Sequence, residues 1–108
     1  MNPDYIAGFF DGEGFATLRV TLLDGIHGHR AYVTPRLGFA QSSSRAEAIV
    51  AIQRHLGFGY IRRSRHGITH LTVDRRDDIK RFVELMRDRV IVKREPLSIV
   101  EEAIQILD

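Results

Sequence analysis

Asp11-Gly12-Glu13-Gly14 sets two carboxylates between glycines, directly after the apolar run Tyr5-Ile6-Ala7-Gly8-Phe9-Phe10. Gly12 and Gly14 both disfavour continued helix, so a helix carrying that run must be ending where Glu13 stands. A carboxylate there faces the negative end of the helix dipole, a poor place for stability unless something positive sits beside it. A divalent cation is the natural candidate, and carboxylate oxygens are the ligands that hard cations such as magnesium prefer. Cysteine is absent, which excludes disulfides and thiolate zinc sites. The five histidines read as polar surface or loop residues. His27-Gly28-His29 has no further ligand cluster to make it a metal site, and phosphate contact from a loop tip suits it better.

The elements that must position this acidic end follow from local patterning. Asn2 offers an N-cap and Pro3 a first-turn proline, so a helix is predicted from about Pro3 to Gly12. On it Gly8 and Gly12 lie four apart, on one face, and admit the close approach of another backbone. Phe15 to Leu23 alternates, with Ala16, Leu18, Val20 and Leu22 inward and Phe15, Thr17, Arg19 and Thr21 outward, the signature of a half-buried strand. A loop at Asp24-Gly25 and Gly28 carries His27, His29 and Arg30. Ala31 to Gln41 resumes strand character, with Val33, Leu37 and Phe39 inward and Tyr32, Thr34 and Arg36 outward. Pro35 removes one donor from that strand and suggests an edge or a bulge. Ser44-Arg45-Ala46-Glu47 has the capping-box pattern for a helix through Leu56 that stops at Gly57. Tyr60 to Arg65 and Ile68 to Asp74 read as a hairpin around His66-Gly67. Its core side is Ile61, Leu71 and Val73, and its outer side Tyr60, Arg62, Ser64, His70, Thr72 and Asp74. Asp77 can cap a third helix, and Lys93-Arg94 precedes Pro96 and a last helix ending near Leu107.

The predicted fold class is therefore α+β, in the order α-β-β-α-β-β-α-α, with a four-stranded antiparallel sheet covered by helices on one face. At 108 residues the chain is expected to be a single domain, 1–108. The formal charge of +2 conceals an asymmetry: residues 15–75 carry nine Lys/Arg against three Asp/Glu, and the remainder seven against eleven. Fourteen of the sixteen basic residues are arginine, the side chain suited to bidentate contact with phosphate and guanine. The basic stretch coincides with the strands, so a polyanion is the expected partner. An antiparallel ribbon with one wet, basic face matches what the DNA major groove admits. No membrane-length apolar run or leader pattern is present, so a soluble, intracellular protein without a targeting signal is expected.

The string Ile6-Ala7-Gly8-Phe9-Phe10-Asp11-Gly12-Glu13-Gly14 resembles the signature of the LAGLIDADG homing endonucleases, and the predicted element order is that family's core fold. The resemblance implies a motif helix packed against a second motif helix at Ala7, Gly8, Asp11 and Gly12. Only one such string is present, so the second helix is expected from another copy, in a two-fold homodimer. It further implies that Glu13 ligates a catalytic metal, with the carbonyl of Gly12 a further ligand. Aspartate is the commoner acid at that position, and the extra methylene of Glu13 moves its oxygens. Gln41 at the end of the second strand, Arg45 four residues later and Lys93 before the last helix match the family's other active-site positions. The expected function is cleavage of both strands of a long, near-palindromic DNA by an intron-encoded enzyme. The cofactor would be Mg²⁺, with Mn²⁺ possible and Ca²⁺ supporting binding without cleavage. Base and phosphate contacts would fall to Arg19, Thr21, His29, Arg30, Tyr32, Thr34, Arg36, Arg62, Ser64, His70, Thr72 and Asp74. The alternative is a maturase acting on intron RNA, or a non-catalytic DNA-binding regulator on the same scaffold.

Overall fold

The computed structural model describes residues 1–25 and 28–107. Its elements follow the expected order: α1 (Pro3–Glu13), β1 (Gly14–Gly25), β2 (Gly28–Ser42), α2 (Glu47–Leu56), β3 (Tyr60–Arg63), β4 (Ile68–Val73), α3 (Arg76–Met86) and α4 (Arg94–Leu107). The strands form one antiparallel sheet in the order β1-β2-β4-β3. Leu37, Phe39, Leu71 and Val73 line one face of it and meet Ile6 and Phe10 of α1, Ile49 and Ile52 of α2, Ile79 and Phe82 of α3, and Leu97 and Val100 of α4 in a single core. At its centre Phe10, Phe39 and Phe82 pack edge to face, with ring centroids 5.1 to 5.9 Å apart. That triangle locks α1 to the central strand and to α3, and so fixes where the end of α1 lies. Among the described residues no helix is long and apolar enough to cross a membrane.

The N-terminal signals work as read. Asn2 accepts from the Asp4 amide at 2.7 Å, Pro3 opens α1, and the helix continues one residue past Gly12 to include Glu13. Gly57 closes α2 with φ +77°, the left-handed conformation a helix-ending glycine supplies.

Four expectations are corrected. The capping box at Ser44 does not form. The chain leaves β2 through a one-turn 3-10 helix, Ser43–Arg45, and α2 has no side-chain cap. The serines bond elsewhere: Ser43 Oγ meets Thr69 Oγ1 at 2.8 Å and Ser42 Oγ meets Ser44 Oγ at 3.0 Å. Thr69 is fully buried on the core face, which explains why a hydroxyl partner takes precedence over a helix cap. Asp77 likewise lies inside the first turn of α3, whose N-cap is Arg75.

The strands of the first hairpin run longer than alternation suggests, and their inner face is not dry throughout. Pairing of β2 with β4 stops at Leu37↔Val73, whereas pairing with β1 continues to Gly25↔Gly28. Pro35 therefore falls where β2 has a neighbour on the β1 side only, an edge position that tolerates the missing donor. Beyond it the hairpin projects past the helical layer. Leu18, Val20 and Leu22, expected inward, are 38%, 59% and 75% exposed. The outer half of the hairpin is a two-stranded ribbon wet on both faces.

Candidate active site and nucleic-acid interface

Glu13 is the last residue of α1 and is exposed, and its carboxylate makes no hydrogen bond or ion pair to another described residue. Gly14, immediately after it, pairs with Phe39, so the register carries Glu13 to the level of Ala40, one residue from Gln41. Two turns of chain separated by some eighty residues meet here because of Asp11. Its carboxylate accepts from the backbone amides of Ile91 (2.8 Å) and Lys93 (2.9 Å), and the Lys93 ammonium donates to the Asp11 carbonyl at 3.0 Å. A carbonyl in the last turn of a helix lacks an intrahelical donor, and a lysine is a favourable substitute at that end of the dipole. The positive group that the helix end calls for is thus present in the chain itself as Lys93. The dipole argument alone does not require a metal, although it leaves Glu13 unengaged.

Gln41, one residue before the end of β2, lies on the core-side face opposite Thr69, half-buried, with its Oε1 accepting from the Ser42 amide at 3.0 Å. Arg45 closes the 3-10 turn that follows and is exposed, without a hydrogen bond to another described residue. The Asp11 bonds thus put Lys93 at the C-terminal end of α1 with Glu13, the register sets Gln41 two residues beyond the partner of Gly14, and Arg45 stands in the turn that follows. Their inventory is one unengaged carboxylate, one lysine already anchored, one amide and one arginine. Among the described residues no group of three or more His, Cys, Asp or Glu is placed to hold a metal. The donors present, the Glu13 carboxylate and the unpaired last-turn carbonyl of Gly12, are all oxygen. They fit a hard cation that takes its remaining ligands from water, phosphate or a second chain, and do not fit an all-protein cage.

The stripe beside this end is open. A Cβ built on Gly8 or Gly12 meets nothing within 4 Å, and Tyr5 on the same side is 51% exposed. Ala7, expected with them, is only 2% exposed and belongs to the chain's own core. The Asp11 carboxylate is committed to residues 91 and 93 of its own chain. The open surface of α1 accordingly narrows to Tyr5, Gly8 and Gly12.

The opposite face of the sheet is the wet one. The register sets Arg19 beside Thr34, Thr21 beside Tyr32, Thr17 beside Arg36, and His70 beside Arg62, all on that face. Two of its polar atoms, Arg36 Nε and His70 Nδ1, are buried without a hydrogen-bond partner among the described residues. Asp74 accepts from the Tyr60 hydroxyl at 3.3 Å, so its carboxylate is oriented by a neighbouring outward residue of β3. Two assigned residues are less available. Thr72 is 8% exposed, and Ser64 lies past the end of β3, where its hydroxyl accepts from the amides of His66 (3.2 Å) and Ile68 (3.3 Å) and holds the turn. Arg30 is exposed at the far end of β2. His29 pairs with Asp24 through its backbone, but its side chain, like all of His27, lies outside the described residues.

A family profile described as LAGLIDADG endonuclease matches residues 6–92. Comparison with curated proteins gives no match. Among solved structures the fold is similar to that of the homing endonuclease I-CvuI in complex with its target in the presence of calcium, with a TM-score of 0.83 and 22% identity over 95% of this chain and 65% of that one. It is similar also to the homing endonuclease I-TnaI (TM-score 0.84, 21% identity, 99% of this chain and 74% of that one). A third likeness is to the archaeal intron-encoded homing endonuclease I-Vdi141I complexed with DNA (TM-score 0.80, 25% identity, 97% and 67%). The chain thus spans just under two thirds of the length of I-CvuI.

Proposed function

The chain belongs to the LAGLIDADG endonuclease family, and from that membership we propose that it is a site-specific endonuclease of double-stranded DNA, acting as a homodimer with a divalent metal. The observation that carries the reading is the end of α1, where Asp11 holds Lys93 against its own carbonyl, two residues before the exposed Glu13 and next to a basic, solvent-facing sheet. A protein that only binds DNA has no use for that gathering.

Residues 1–108 act as one domain, and two copies meet along Tyr5, Gly8 and Gly12, where the bare helix backbone admits a neighbour. This pairing brings Glu13 of each chain to the same region. Two adjacent carboxylates repel one another, and a cation relieves that repulsion. Glu13 and the Gly12 carbonyl would hold Mg²⁺ or Mn²⁺, which when bound supplies charge neutralisation and an acidified water. The remaining roles belong to the chain. Gln41 orients solvent by its amide, since its Oε1 is fixed by the Ser42 amide and its NH₂ stays available. Lys93, anchored on the Asp11 carbonyl, and Arg45, in the adjoining turn, offset negative charge that develops on the attacked phosphate. Fixed groups of this type each contribute a few kcal/mol to a barrier, roughly 3 to 4 where a single donor is removed. The outward residues of the sheet, Arg19, Thr21, Tyr32, Thr34, Arg36, Arg62, His70 and Asp74, read base edges, and Arg30 contacts phosphate. Two-fold symmetry makes the target near-palindromic.

Selection from randomised duplex DNA with calcium, followed by exposure of the recovered duplexes to magnesium, tests the reading. Wild-type protein should cut both strands of a near-palindromic consensus, and Glu13→Gln should bind it comparably without cutting. Equal cutting by Glu13→Gln would remove Glu13 from the metal site. Selective binding without any cutting would reduce the protein to a regulator, and failure to select a duplex would favour intron RNA.

A further inference from the structure

We propose that Phe15 reads a thymine 5-methyl group at the base pairs bordering the cleavage centre. The inference rests on the endonuclease reading above and extends it to a residue that carries no polar group. Phe15 follows Glu13 by two positions and faces outward, on the same side of the sheet as Arg19, Thr34 and Arg36. It is only half-buried and is not among the partly buried apolar residues that pack against the core. A phenyl ring has therefore been left on the wet face of the sheet, at the place on that face nearest the acidic end of α1.

The neighbouring backbone is shaped to accommodate it. Phe15 pairs with Gly38, and Gly38 with Thr72, so the register sets the ring against a position with no side chain. A Cβ on Gly38 would stand 3.0 Å from the ring's Cζ and would collide with the Leu71 carbonyl. The consequence is a shallow apolar step in an otherwise polar reading surface. Base edges in the major groove offer donors and acceptors, which a phenyl cannot use, and one apolar feature, the methyl of thymine. Phe15 is the second residue of β1, one strand step of about 3.4 Å from Gly14, where the sheet leaves α1. The ring therefore stands at the end of the reading face that adjoins α1, which under the proposed reading borders the phosphate that Glu13 serves.

The test removes the methyl from the DNA and leaves the protein intact. In the duplex selected with calcium, each symmetric pair of thymines is replaced in turn by uracil, which differs only at that methyl. Wild-type affinity should fall about 3- to 5-fold per methyl lost, the worth of one buried methyl group, at one symmetric pair within the central region. Phe15→Ser should lose that sensitivity, and Phe15→Leu, which keeps an apolar group, should retain part of it, both judged on protein whose thermal midpoint and circular dichroism show a folded chain. A consensus without thymine near the centre, or wild-type binding indifferent to every uracil substitution, overturns the assignment while leaving the nuclease reading standing. Equal uracil sensitivity in Phe15→Ser also overturns it and assigns the ring to shielding the backbone of Gly38. Failure to select any duplex removes both readings together.

Discussion

Asp11→Asn should weaken the fold and the catalysis together, because one carboxylate couples the motif helix to the segment that delivers Lys93. The native carboxylate accepts two backbone N–H bonds, at 2.8 and 2.9 Å, from a half-buried position. Asparagine keeps one acceptor and turns an NH₂ towards the other amide. One charge-assisted bond, worth about 1.5–3 kcal/mol, is lost, and the survivor becomes a neutral bond. Partial exposure lets water reach the orphaned amide, which favours the lower end, so the expected loss is about 2 kcal/mol. For a domain of this size, that corresponds to a fall in Tm of about 8 °C. Urea unfolding followed by circular dichroism, without DNA or metal and at one fixed protomer concentration, gives the value. The same variant should cleave more slowly than its residual folded fraction accounts for, since the segment that carries Lys93 is held by one bond fewer. In a Lys93→Met background the further effect of Asp11→Asn on cleavage should largely vanish, the non-additivity expected of residues acting through one contact. An unchanged unfolding midpoint, or full additivity with Lys93→Met, would refute the coupling.

Three other outcomes follow from the geometry. Gly8→Leu fills space that is open within one chain, so the monomer should gain a few tenths of a kcal/mol to about 1 kcal/mol of helix propensity while sedimentation shows the dimer lost; an intact dimer would relocate the interface. Gly38→Ala puts a methyl against the Leu71 carbonyl and should cost about 1–3 kcal/mol in urea unfolding; no loss would mean that the β2–β4 pairing yields easily. Arg30→Gln should lower the salt dependence of duplex binding, measured as the slope of log K against log salt, by about 1.8 for two chains, without altering the selected consensus. A changed consensus would make Arg30 a base reader.

Much of the architecture was legible because local chemistry and tertiary structure agree. Asn2-Pro3, Gly57 and the alternation in β4 each name a boundary or a face by a mechanism that operates within a few residues. The Asp11 brace was only partly readable. A structural role at the helix end follows from its position, but the partners lie about eighty residues away at 91 and 93. The failed capping box has the same origin: Ser43 is drawn to Thr69, a pairing that exists only once β2 and β4 are side by side. Alternation also over-read β1. It reports which residues share a face but not how far the helices extend over it, so Val20 and Leu22 are inward in phase and exposed in fact. In the site, Glu13 follows from the glycine-flanked helix end, whereas Gln41, Arg45 and Lys93 come from family resemblance, and the fold supplies a local reason only for Lys93, through Asp11.

The ladder between β1 and β2 has twelve paired positions, about 40 Å of ribbon at roughly 3.4 Å per residue. Laid along a groove, that length covers about a dozen base pairs at 3.4 Å each, and twist and unread positions only reduce it. In the proposed dimer, two copies related by a dyad then address on the order of twenty base pairs. Each fully read position divides the chance occurrence of a site by four, so twenty of them make a match rarer than about one in 10¹², against genomes offering about 10⁶–10⁹ competing sites. The length of an unsupported hairpin is in this sense a budget of information. For the proposed endonuclease, shortening it by a few rungs would turn a cutter of one locus into a cutter of many, without touching a single catalytic atom.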